Sequence, residues 1–226
     1  MCWTDRQATG NIAVLRDEFN INIAVETGTY LGINAQLYSS MFESVFTCET
    51  DEAYYKEARR RLERHTNVYV FNKSSEEFLS YFYKNRGDIV FFYLDAHFYN
   101  PKKRWVVVDE LKALENFKKC IICIHDFDNG LGHITYDGEP LGWNVVGKYL
   151  KKVNPDFHYY TNTKEMCDIV DKETVESLPI RVDGAVLEAL QYTHSSDEKR
   201  YRGILYAVPA RLDTTKYRLV KYEPPD

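Results

Sequence analysis

The sequence predicts an α/β protein built on a doubly wound, mostly parallel sheet. Three observations carry this. Five short apolar runs alternate with helical stretches over the first two thirds of the 226 residues. The fourth of them, IVFFYL, is apolar without interruption, as a strand covered on both faces must be. Each run is followed at once by polar or acidic residues, as expected of a sheet whose strand ends line a cleft.

The elements follow in order. Residues 5–19 (DRQATGNIAVLRDEF) form an entry helix that Gly10 weakens. Ile21 to Glu26 is a strand ending in a Gly-rich turn, and 33–42 are helical. Ser44 to Glu49 is the second strand, after which Asp51 caps the helical run EAYYKEARRRLERH. Val68 to Phe71 is the third strand. Ser74 or Ser75 caps the next helix, with Glu76 and Glu77 in its first turn. Asp88 to Leu94 is the fourth strand, 104–118 a helix, and Cys120 to Ile124 the fifth strand. Gly130, Gly132, Gly138, Pro140 and Gly142 then make 126–142 a long loop. A helix at 143–152, a strand at 157–161 and a last strand at 203–208 (GILYAV) complete the pattern, and the tail after Pro209 ends irregularly at EPPD. The polar stretch 163–201 has no clear period and is expected to cover an acceptor or make a subunit contact. The chain is read as one domain, 1–226, with its core at about 20–162 and 202–209.

Composition excludes several classes. Lys+Arg 29 against Asp+Glu 34 gives a net charge of −5, which argues against a nucleic-acid partner. Hydrophobic residues at 44% exclude global disorder, and no apolar run is long enough to span a membrane. The start, MCWTDRQATGN, has no secretory pattern, and five scattered Cys suit reduced thiols, so a cytoplasmic protein is expected, in the host cytoplasm if the source is viral. A homo-oligomer is compatible with all of this.

The first turn points to the cofactor. The spacing is Gly28-x-x-x-Gly32 with Glu26 before it, and a third dinucleotide-type Gly is missing. A carboxylate there repels a pyrophosphate and suits a cation. Glu49 lies 21 residues after Gly28, where an acid accepts hydrogen bonds from ribose hydroxyls. A ribose-bearing cofactor with a cationic head describes S-adenosylmethionine (SAM).

The segments VETGTYLGIN (25–34), CETD (48–51), FFYLDAHF (91–98) and CIHDF (123–127) resemble class I SAM-dependent methyltransferases. The resemblance spans roughly 20–150 and is closest to small bacterial and viral members near the macrocin and novobiocin type of sugar O-methyltransferase. It implies a Rossmann-like sheet with an antiparallel last strand. It implies cofactor contacts from Glu26, Thr27, Gly28, Thr29, Tyr30, Gly32, Asn34, Glu49, Thr50, Ser74, Ser75 and Asp95. It implies a divalent ion, Mg²⁺ or Mn²⁺, on Asp95 and Asp126, and a general base at His97. In that group two carboxylates end strand 5; here His125-Asp126 stands instead, so His125 is the third ligand, or Asp128 or Asn129 replaces it. The implied activity is methylation of a sugar hydroxyl on a glycan or glycosylated precursor, with deoxyhexoses such as rhamnose among the acceptors.

The chemistry is coherent on its own terms. SAM carries a reactive methyl, so the protein must align the acceptor and help remove its proton. A divalent ion acidifies a bound hydroxyl, and a neutral His can take the proton. Tyr99, Trp105, Tyr136 and Trp143 fall after strands 4 and 5, where rings stack on apolar sugar faces or anchor loops. Asp137 and Asn144 are further candidates to hydrogen-bond sugar hydroxyls. Cys120 and Cys123 read as core thiols rather than zinc ligands, and neither they nor His97 fit a zinc deaminase. Arg59-Arg60-Arg61 reads as a solvated helix face, and Lys102-Lys103-Arg104 as either solvated or facing an acidic substrate. Rival readings are a catechol-type or other small-molecule O-methyltransferase, a nicotinamide oxidoreductase and a non-catalytic module.

Overall fold

A computed structural model describes residues 6–82, 87–96, 105–130, 140–163 and 203–225. Among these residues six α-helices and eight strands follow in the order α1 (Arg6–Phe19), β1 (Ile23–Thr27), α2 (Ile33–Ser39), β2 (Ser44–Glu49), α3 (Glu52–Leu62), β3 (Val68–Asn72), α4 (Ser75–Ser80), β4 (Val90–Leu94), α5 (Val106–Ala113), β5 (Cys120–His125), α6 (Trp143–Val153), β6 (His158–Thr161), β7 (Ile204–Val208) and β8 (Val220–Lys221). The strands form one sheet in the order β3-β2-β1-β4-β5-β7-β6-β8. The first five are parallel, and β7, β6 and β8 join antiparallel. Among the described residues no helix is long and apolar enough to cross a membrane.

The period-2 alternation of each strand divides the core into two layers. Ala24, Val45, Phe91, Tyr93, Ile121, Cys123 and Tyr206 pack with Ile12 and Leu15 of α1, Tyr38 of α2 and Leu62 of α3. Val25, Phe92, Leu94, Ile122, Ile124 and Leu205 pack with Leu79 of α4, Leu111 of α5 and Leu150 of α6. Both faces of β4 and β5 are therefore buried, which is why those segments are apolar throughout. Cys120 and Cys123 sit in the core, outside any disulfide.

Two expectations need correction, and one element is added to the tail. The helix at 104–118 stops at Ala113, because the chain turns at Leu114 and Asn116 adopts a left-handed conformation (φ 68). Arg61 does not share the solvated face of Arg59 and Arg60; it is buried at the end of α3. The tail carries one further strand, β8, before its irregular end. Leu212, Tyr217 and Leu219 are buried, the Arg218 N–H donates to Asn11 Oδ1 at 3.0 Å, and β8 extends the sheet beside β6. Apolar residues spaced through a polar tail supplied enough burial to hold it.

The sheet order places the topological switch between β1 and β4. Thr27 pairs with Cys48 of β2 on one side and with Leu94 of β4 on the other. Leu94 in turn pairs with Ile124 of β5. The register thus brings the Gly28 turn, Asp95 and His125 to the same end of the sheet.

Candidate functional site

The site is built from four strand ends. Gly28 (φ 78) ends β1, and a Cβ there would lie 2.8 Å from the Asp95 carbonyl oxygen and 3.1 Å from Ala96 Cα. Only glycine lets the first turn lie this close to the end of β4. The Asp95 N–H reaches Thr27 Oγ1 at 3.3 Å, a second tie between the same two ends.

Glu49 ends β2 with a carboxylate fixed by two backbone donors. The Tyr30 N–H donates to Oε2 at 2.8 Å and the Asp51 N–H to Oε1 at 2.9 Å. Asp51 caps α3 as the sequence predicts, accepting from the Ala53 and Tyr54 N–H groups. A carboxylate has about four acceptor positions, so each Glu49 oxygen keeps capacity for one more donor, which suits a vicinal diol.

Glu26 is buried and accepts from Thr47 Oγ1 at 2.7 Å, while Thr47 lies 2.6 Å from the Thr29 hydroxyl. Asn34 also hydrogen-bonds Glu26. Burial pushes the Glu26 carboxyl up to about 8, against the opposing effect of the Thr47 hydrogen bond. Neither Thr47 nor this inward-facing network was evident from sequence.

At the other side of the switch, Asp95, His125 and Asp126 converge, and their ligand atoms all lie within 4.8 Å of one another. His125 Nδ1 is 2.9 Å from Asp95 Oδ1 and 3.2 Å from Asp126 Oδ1. Asp126 adopts a left-handed conformation (φ 56), which turns two consecutive residues toward one point. Burial opposes the charge on both Asp95 and His125, but their mutual attraction wins. It holds Asp95 down to about 2, and the two acids raise His125. One imidazole nitrogen and two carboxylate oxygens at these separations are donors that could hold a divalent cation.

The alternatives to His125 make bonds within their own surroundings. Asn129 Nδ2 donates to Thr161 Oγ1 and the Asn162 carbonyl, and Asp128 Oδ1 accepts from the Gly130 N–H. Ser74 precedes α4 at the N-cap without a side-chain capping bond, Ser75 is buried at its first position, and Thr50 is exposed. Gly32 (φ 78) begins α2 against Leu62. Trp105 packs on the core at the start of α5. The Trp143 ring lies 4.8 Å from Tyr159 and 6.0 Å from Tyr222, anchoring α6 to the sheet edge, and Asn144 is exposed beside it. His97, Tyr99, Tyr136, Asp137, the Lys102-Lys103-Arg104 run and residues 164–201 of the expected insertion lie outside the described residues.

Glu110 was missed by sequence reasoning. It is fully buried on α5, facing the Thr27 and Ser75 hydroxyls, but no hydrogen bond of ordinary geometry closes on either of its oxygens. Its signal in VVVDELKA was an acid on the apolar stripe of a helix. Burial pushes it from 4.5 up to about 7. A carboxyl raised in this way binds more protons folded than unfolded between pH 4.5 and about 7, so stability falls as pH rises through that window. Glu110→Gln is therefore expected to stabilise the ligand-free protein at pH 8 by on the order of 3 kcal/mol, and to change it little at pH 4.5. Denaturant unfolding at the two pH values measures the difference.

No family model matches this chain, and no curated protein matches it. Solved structures do. The plantazolicin methyltransferase BamL, solved with a triazolic desmethylPZN analog and SAH, is 14% identical over 90% of this chain and 84% of its own, with a TM-score of 0.51. The methyltransferase domain of bacterial CtHen1-C is 11% identical over 93% of this chain and 100% of its own, with a TM-score of 0.50. At such identities the likeness is one of fold, and the fold of this chain is the Rossmann-like methyltransferase fold, a mostly parallel eight-stranded sheet that closes with antiparallel strands.

Proposed function

We propose that this chain is a SAM-dependent O-methyltransferase acting on a sugar hydroxyl of a glycan or glycosylated precursor. The observation that carries the reading is the position of Asp95. It touches the Gly28 turn on one side and the His125–Asp126 pair on the other. A cofactor seated on β1 and β2 would thus lie next to a cation-binding donor set.

The residues fit SAM. Glu49, with both oxygens oriented by backbone donors, accepts the two ribose hydroxyls. Gly28 lets the first turn close onto the end of β4 beside the methionine end of the cofactor, and the buried Glu26 ionises more readily when a cationic ligand lies next to it. They also fit a divalent ion such as Mg²⁺ or Mn²⁺, with Asp95, His125 and Asp126 as the ligands. When bound, such an ion lowers the pKa of a coordinated hydroxyl. His97, two residues after Asp95, receives the acceptor's proton. The buried free thiols Cys48, Cys120 and Cys123 suit a reducing, cytoplasmic setting. The acidic net charge favours a chain that acts, as one domain, without a nucleic-acid partner.

Calorimetry with SAM, SAH and NAD tests the cofactor. Wild-type protein should bind SAM and SAH but not NAD. Glu49→Ala should weaken both by about 1.5–3 kcal/mol, the value of a hydrogen bond to a charged group. Transfer of labelled methyl from SAM, assayed on nucleotide sugars, catechol and RNA in parallel, tests the acceptor. Label on a sugar oxygen is the expected result; label on RNA or catechol alone overturns the sugar reading.

A further inference from the structure

We propose that Tyr54 is a cofactor-positioning residue, paired with Tyr30 in an aromatic wall beside Glu49 against which the adenosine half of SAM packs. The inference rests on the cofactor reading above and extends it to a residue that no motif marks.

Three observations meet at this wall. Tyr30 holds φ 49, a conformation that costs a tyrosine free energy and a glycine almost none. The glycines on either side of it, Gly28 and Gly32, take φ 78. A glycine would serve the backbone of this turn equally well, so what Tyr30 adds is its side chain. That ring sits 4.5 Å from the Tyr54 ring, tilted by 53°. Tyr54 lies in the first turn of α3 and keeps 39% of its surface exposed, so the pair is not a closed core contact.

Both rings spring from backbone that is fixed around one carboxylate. The Tyr30 N–H donates to Glu49 Oε2. The Tyr54 N–H donates to Asp51 Oδ1, and the Asp51 N–H donates to Glu49 Oε1. The rings therefore flank the group that would hold the ribose. An apolar plane there excludes water, and hydrogen bonds to an ionised carboxylate strengthen as the local dielectric falls. A ring also offers contact area with little rotamer entropy to lose.

The test is calorimetry of SAM and SAH with wild type, Tyr54→Ala, Tyr54→Phe and Tyr30→Gly, each checked by thermal unfolding. Tyr54→Ala should weaken SAM and SAH by the same factor, about tenfold, because the two ligands share the adenosine and differ only at sulfur. Tyr54→Phe keeps the ring and should bind as wild type does. Tyr30→Gly relieves the backbone, so it should unfold no earlier than wild type while binding about tenfold more weakly. Tyr54→Ala within about twofold of wild type overturns the proposal, because the loss expected of an aromatic contact is larger. Loss of SAM affinity with SAH unchanged also overturns it, because the ring would then act on the sulfonium. Wild-type protein that binds neither ligand overturns the cofactor reading, and this proposal with it.

Discussion

His97→Ala is expected to lower turnover by about 10²–10⁴-fold while leaving SAM affinity near its wild-type value. A sugar hydroxyl is a very weak acid, and methyl transfer to its oxygen requires that the proton leave. His97 follows Asp95 by two residues in FFYLDAHF, and Asp95 itself directly follows β4, whose neighbour β5 ends in His125 with Asp126 next. A general base must be neutral to act, so the rate should rise with pH through the base's pKa. His97→Ala should remove that limb as well as the rate. If His97→Phe keeps most of the activity and the limb survives, the proton leaves by another route. Measuring SAH release against pH for the two variants, with SAM binding as the control for folding, decides it.

The second large effect is expected at Asp126. Asp126→Ala removes one of two acids held beside the buried His125, and turnover should fall by about 10³-fold, the several kcal/mol that a cation site contributes to charge stabilisation. Asp128→Ala should do far less, because Asp128 bonds the Gly130 N–H in its own loop. The opposite order would move the ligand set into the loop. Dialysis against a chelator should abolish wild-type turnover, with recovery on adding Mg²⁺ or Mn²⁺. Full activity in chelator would mean that His125 and the two acids act as a hydrogen-bonded triad without an ion. In that case the His125 imidazole, whose proton affinity Asp126 and Asp95 raise against the effect of burial, would be the electrostatic element of the site.

Glu26 and Glu110 add a consequence for cofactor binding. Both carboxyls are buried near the β1 end, on opposite faces of the sheet, and burial raises both well above the ordinary 4.5. The fold therefore tolerates these acids most easily in their neutral forms. A cationic cofactor would favour their ionised forms.

The sequence by itself determined the order and type of the main elements and the chemistry at each strand end. Continuous apolar runs mark the strands, covered on both faces in β4 and β5 and partly exposed in the edge strand β3, and β1 to β5 each fall within about two residues of where those runs lie. Gly28, Glu49, Asp95, His125 and Asp126 were legible because each directly follows or ends such a run. Which of these groups meet was decided only by tertiary structure. The pairing of Leu94 with Ile124 sets Asp95 beside His125, and a shift of one residue would turn one of them to the other face. The rotation of α5 placed Glu110 under Thr27, and the end of β6 took up the side-chain amide of Asn129. Glu26 was legible as an acid near the first turn, but its inward hydrogen bond to Thr47 depends on the β1–β2 register. These contacts join residues far apart in the chain. Local propensity fixes each element's type, whereas register and helix rotation come from how separate elements bury their apolar faces together.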